Sequence, residues 1–182
     1  ERIIHPSNIA VIGPSQSGKT VITVKLIQQK DIIFDKPPQR VIWAYGAGCF
    51  QPNLARQLPE VEFMEGLPAN KAQQLDPGIR TLFIIDDLMD EINAEVTALF
   101  TRYGHHRNCS VIFISQNLFN KNKETRTLNL NTHYLVLFKN VRDKSQIAAL
   151  GRQMFPNTSN YFLHAYSDAC NKPFGYICKM SQ

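Results

Sequence analysis

At 182 residues, the chain is long enough for one domain with a sizeable core. Apolar residues make up 43% and charged residues 19%, an ordinary globular mix that excludes a disordered chain, and no apolar run approaches a membrane span. The net charge of +5 tolerates a polyanionic partner, but a solvated basic surface explains it equally well.

No signal peptide is visible, and the chain opens on Glu1 rather than Met, so it reads as a piece of a longer protein. Cys49, Cys109, Cys170 and Cys178 form no C-x-x-C pair and have no His at zinc-finger spacing. They read as reduced thiols of an intracellular protein.

Short apolar runs alternate with helical segments, the pattern of an α/β fold with a mainly parallel sheet. The first run, Ile9-Ala10-Val11-Ile12, reads as a buried strand. Gly13-Pro14-Ser15-Gln16-Ser17-Gly18-Lys19-Thr20 follows it, a complete G-x-x-x-x-G-K-T phosphate-binding loop. A helix over 19–29 follows the loop. The glycines let backbone N–H groups turn inward around a polyphosphate, and the helix N-terminus adds partial positive charge. Lys19 is expected to reach the β/γ-phosphates of ATP, and Thr20 to offer its hydroxyl to Mg²⁺.

Further strands are expected over 41–45, 81–86, 110–115 and 134–139, and helices over 52–58, 92–103, 144–154 and 159–169. Asp143 is a plausible N-cap for the helix at 144–154, and Thr158 or Ser159 for the next. Pro173 and Gly175 suit an edge strand over 174–179.

The strand at 81–86 runs through Leu82-Phe83-Ile84-Ile85 to Asp86-Asp87, a Walker B pattern. Asp86 is the expected metal carboxylate beside Thr20. Asp87 is placed to orient and deprotonate the attacking water, with Glu91 as the alternative base if the backbone turns early. Asp87 and Asp90 would otherwise cap the helix near Ile92. The strand at 110–115 leads into Gln116. That side chain would face the γ-phosphate if this strand lay between the Walker A and Walker B strands. Arg107, then Arg126, are the candidates to stabilise transferring phosphoryl charge, with Arg102 a third.

His105-His106 has no third ligand at a useful spacing. Asn120-Lys121-Asn122-Lys123 has Asn where the guanine-reading N-K-x-D loop needs Asp, which favours ATP over GTP.

The loop at 13–20, the Ile84-Ile85-Asp86-Asp87-Leu88-Met89 segment, Gln116-Asn117-Leu118-Phe119 and the stretch 138–146 occur in order. Together they resemble the FtsK–HerA-type genome-packaging ATPases of double-stranded DNA viruses. The likeness extends to those of Maverick/Polinton-like elements and their adintovirus-like relatives. It covers nearly the whole chain, and its Walker motifs are generic to P-loop ATPases.

The resemblance implies a single RecA-like ASCE core with strand order 5-1-4-3-2. It implies a homo-oligomeric ring, a hexamer or pentamer, that hydrolyses ATP with Mg²⁺ and drives double-stranded DNA into a capsid through its portal or vertex. It implies a place in the host nucleus, at the viral assembly site or in the virion. Glutamine closes the fourth strand in that family, which matches Gln116. The family often has Glu after the Walker B Asp, and Asp87 departs from that. Basic residues around 121–126 are the expected DNA contacts, by charge alone. Two other readings stay open: a small-molecule phosphotransferase, which lacks a visible arginine-rich lid, and a nucleotide-gated assembly module without turnover.

Overall fold

In a computed structural model of the chain, residues 2–67, 74–88, 97, 108–116, 131–140, 144–155 and 157–180 are described. The elements in chain order are β1 (Asn8–Ile12), α1 (Lys19–Gln28), α2 (Lys30–Ile33), β2 (Arg40–Tyr45), α3 (Pro52–Gln57), β3 (Glu62–Glu65), β4 (Thr81–Asp86), β5 (Cys109–Ser115), β6 (Tyr134–Phe138), α4 (Lys144–Met154), α5 (Ser159–Ala169) and β7 (Tyr176–Met180). The expected helix at 92–103 lies outside the described residues, apart from Thr97, which is helical and buried. Asp143 also lies outside them. Thr158 does precede α5 as its N-cap, but its side chain makes no capping hydrogen bond.

The strands form one seven-stranded sheet in the order β3-β2-β4-β5-β1-β6-β7. This differs from the order 5-1-4-3-2 that the resemblance implies by one added strand at each edge; the five expected strands keep that order. An unforeseen strand, β3, pairs parallel to β2 at one edge, and β7 pairs antiparallel to β6 at the other. Between these edges the run is β2-β4-β5-β1-β6, all parallel.

The continuous apolar character of the inner strands reflects burial on both faces. Side chains alternate along each strand. Ala10, Ile12, Phe83, Ile85, Val111 and Phe113 face one side and pack with Ile147, Leu150 and Phe162 from α4 and α5. Ile9, Val11, Ile84, Ile112 and Ile114 face the other and pack with Val24 and Ile27 of α1 and Leu54 of α3. All seven residues of β5 are buried, as a central strand requires.

Strand register sets which residues meet at the end of the sheet. Ile12 lies opposite Ser115 and Leu137, and Asp86 opposite Ile114. The chain after β1, the end of β4, the residue after β5 and the end of β6 therefore share one carboxyl edge. At the amino end, the buried His5 ring bonds Ser110 Oγ through Nδ1 at 2.6 Å and Asn108 Oδ1 through Nε2 at 3.0 Å. This ties the N-terminal segment to β5.

Candidate nucleotide site

The phosphate loop leaves β1 at Gly13, whose N–H donates to the Ser115 carbonyl at 3.1 Å. That bond seats the start of the loop against the end of β5. No side chain fits at Gly13: a Cβ there would lie 2.6 Å from Phe138 Cβ and 2.7 Å from Ser17 Oγ. Gly18 sits at φ 105 as the N-cap of α1, a left-handed conformation open to glycine. Gln16 also has positive φ, at 61°. The left-handed residues Gln16 and Gly18 let the loop curl around a concavity suited to an anion.

Lys19 Nζ donates to the carbonyl oxygens of Gly13 and Pro14, each at 2.8 Å. Its ammonium thus lies folded against the loop. Burial lowers the Lys19 pKa below the ordinary lysine value, opposed by the nearby carboxylates of Asp87 and Asp86. The buried Ser17 Oγ has no hydrogen-bond partner. An orphaned hydroxyl inside a glycine cradle is what a phosphate oxygen would satisfy, so the loop fits the polyphosphate expected there.

Asp86 ends β4. Its carboxylate is largely buried, and its Oδ2 accepts a hydrogen bond from Trp43 Nε1 at 3.2 Å. Burial pushes its pKa above the usual carboxylate range, and the charge of Asp87 adds to that. The Trp43 N–H and the Lys19 ammonium pull it down. Trp43 escaped the sequence reading. It sits in β2, read only as core, and its pairing with Ile84 across the sheet is what brings the indole to Asp86.

Asp87 turns sharply out of β4 at φ 55, a conformation Asp tolerates better than most residues. Its N–H donates to the Ile114 carbonyl at 3.1 Å. The exposed Gln116 Nε2 donates to Asp87 Oδ2 at 3.1 Å. The structure therefore brings Asp87 and Gln116 into contact, and β5, which leads to Gln116, lies between β1 and β4. Arg102, Arg107, Arg126, Asp90, Glu91, His105-His106 and the basic stretch 121–126 lie outside the described residues.

Among the described residues, no group of three or more His, Cys, Asp or Glu is placed to hold a metal ion. The Thr20 hydroxyl and the Asp86 carboxylate are hard oxygen donors of the kind Mg²⁺ takes when phosphate oxygens supply most of its remaining ligands. Among the described residues, no helix is long and apolar enough to cross a membrane.

An open cleft of about 900 Å³ runs from the phosphate loop along α1 to Phe138, Phe174 and Tyr176. A glycine-cradled loop at the carboxyl edge of a parallel sheet, next to such a cleft, has the chemistry and room that a nucleotide would need.

No protein-family profile and no curated protein sequence matches the chain. Solved structures do. The chain is similar to the genome packaging NTPase B204 of Sulfolobus turreted icosahedral virus 2 in complex with ATP-γ-S (TM-score 0.59, 9% identity, 96% of this chain and 92% of that one). It is similar to the pCW3 conjugation coupling protein TcpA with the same analogue (TM-score 0.56, 11% identity, 97% of this chain and 58% of that one). It is also similar to EccC, ATPases 2 and 3, of Thermomonospora curvata (TM-score 0.51, 16% identity, 71% of this chain and 30% of that one). At these identities the likeness shows the fold: a mixed α/β fold with a mostly parallel seven-stranded sheet, consistent with a P-loop NTPase.

Proposed function

We propose that the chain is the ATPase core of a motor that drives double-stranded DNA into a viral capsid. The observation that carries this reading is the convergence of Lys19, Asp86, Asp87 and Gln116 at one sheet edge, with β5 inserted between β1 and β4. That insertion supports the ASCE assignment. The packaging role rests on the resemblance of the chain's motifs to FtsK–HerA-type ATPases, including those of Maverick/Polinton-like elements. The fold likeness to a viral packaging NTPase is compatible with it.

In this reading the triphosphate of ATP lies in the loop from Gly13 through Pro14, Ser15, Gln16 and Ser17 to Gly18, Lys19 and Thr20. Its charge is offset by Lys19 and the α1 N-terminus. Thr20 and Asp86 would hold Mg²⁺, which when bound would offset charge on the phosphate oxygens. Gln116 holds the carboxylate of Asp87, and Asp87 orients a water in line with the γ-phosphorus. As the water oxygen bonds to phosphorus, the bond to the ADP oxygen breaks and the water proton passes to Asp87. Arg107 or Arg126 from a neighbouring subunit of a homo-oligomeric ring stabilises the charge of the transferring group. The basic stretch 121–126 meets DNA, and the ring works at the capsid portal or vertex, where virions assemble.

The test is steady-state ATP hydrolysis by the purified chain, with and without double-stranded DNA, over a protein concentration series. Stimulation by DNA, with activity rising faster than linearly in protein, is the expected result. Hydrolysis linear in protein and indifferent to DNA would overturn the motor reading in favour of a small-molecule phosphotransferase.

A further inference from the structure

We propose that Phe174 and Tyr176 form a stacking wall that selects purine over pyrimidine nucleotides. This rests on the reading of the loop at 13–20 as a triphosphate site.

Phe174 is 71% exposed, a large apolar ring left in water. It is also held at φ 58, where a bulky side chain is strained. The turn that imposes this is tightly fixed. Gly175 N–H donates to the Lys172 carbonyl at 3.0 Å, and the Gly175 carbonyl accepts from Lys139 N–H at 3.3 Å. A Cβ at Gly175 would lie 2.3 Å from the Ala169 carbonyl oxygen, so only glycine fits next to Phe174. A strained backbone and an exposed aromatic ring in one rigid turn are unfavourable for the protein alone, which points to a ligand that offsets both.

The ring is aimed at the phosphate loop. A Cβ built on Gly18 would meet Phe174 Cδ1 at 3.6 Å and Phe138 Cε1 at 3.3 Å. Phe138 packs against Tyr176 with ring centroids 5.3 Å apart, and Tyr176 is itself 41% exposed. Val21, on the first turn of α1, also lines the cleft and is exposed. The cleft thus joins a cationic phosphate cradle to an apolar slot whose aromatic rings begin beside Gly18. A ligand matching both has a polyanionic tail and a flat aromatic head: a nucleoside triphosphate.

Selectivity comes from the chemistry of the slot. Stacking scales with ring area, so a two-ring base gains more than a one-ring base.

The experiment is calorimetric binding, with Mg²⁺ present, of ATP, GTP, CTP and inorganic tripolyphosphate to the wild-type chain, Phe174→Ala and Phe174→Trp. ATP and GTP are both expected to bind. CTP should bind more weakly than both. Phe174→Ala should weaken ATP and GTP by roughly tenfold, leave tripolyphosphate unchanged, and be rescued by Phe174→Trp. If Phe174→Ala leaves the ratio of ATP to tripolyphosphate affinity unchanged, the stacking wall is refuted while the phosphate site stands. If the wild-type chain binds neither ATP nor tripolyphosphate, the nucleotide reading falls and this proposal with it.

Discussion

At the scale of single residues, the sharpest consequence lies in Asp86. Its carboxyl is raised first by burial and then by Asp87. A carboxyl raised in the folded state binds its proton more tightly there than in the unfolded chain. Between the two pKa values the folded state holds more protons, so stability falls as pH rises through that window. The ionised group therefore destabilises the nucleotide-free protein at neutral pH, in exchange for a metal-binding charge. Asp86→Asn keeps an acceptor for the Trp43 N–H and removes the charge. We expect its melting temperature at neutral pH to rise by a few degrees, at roughly 2–4 °C per kcal/mol for a domain of this size. Mg²⁺-dependent hydrolysis should disappear. Thermal melts across pH without nucleotide check this, and a lower melting temperature for the variant would sink it. Asp87 and Gln116 give a second prediction, because they act through one contact. Asp87→Asn should slow turnover by about 100-fold or more while ATP affinity stays within a few-fold. Adding Gln116→Ala to it should change little, since that amide acts on the Asp87 carboxylate. Additive losses in a double-mutant cycle would show that Gln116 works independently.

Between residues and whole fold lie the elements, and here the phosphate loop depends on its neighbours. Gly13 is pressed against Phe138 at the end of β6, so Gly13→Ala must push β1 and β6 apart or move the ring. Overpacking of this kind costs about 1–3 kcal/mol. The expected result is a lower urea midpoint together with weakened nucleotide binding. A variant as stable as wild type would show that the edge yields freely. The same scale shows what can be read from sequence alone. The glycines, Lys19 and Thr20 are legible because their spacing dictates a local backbone. The apolar runs ending in Asp86 and Gln116 are legible because a buried parallel strand has a distinctive composition. Glu62-Phe63-Met64-Glu65 is not: four residues without a β-branched side chain carry little strand signal, and β3 exists because β2 offers it an edge. The bidentate bond of Arg40 to Glu62 then pins it there. Trp43 and Phe174 are hidden for a related reason. Their roles arise from strand pairing and from a turn far along the chain, which no local pattern encodes.

For the whole molecule, the question is what completes the site. Among the described residues, no arginine lines the cleft beside the phosphate loop. Arg40 is engaged with Glu62, and the Arg80 guanidinium donates to the Pro37 carbonyl near the amino end of β4, away from the carboxyl edge. Charge on a transferring phosphoryl group would then be met from Arg107 or Arg126, within one chain or across a subunit boundary. These alternatives separate under complementation. Lys19→Ala destroys its own phosphate loop but keeps its arginines. Arg107→Ala keeps its loop but has no arginine to give. If the arginine acts across the boundary, each variant alone is inactive, and a mixture regains activity wherever an intact loop meets an intact arginine. In an equimolar random mixture, half the loops and half the arginines are intact, so up to roughly one quarter of wild-type turnover should return. If the arginine acts within its own chain, no chain in the mixture carries both groups and the mixture stays silent. Repeating the mixture with Arg126→Ala decides between the two residues, because only loss of the arginine that reaches the neighbouring phosphate both abolishes activity alone and restores it on mixing.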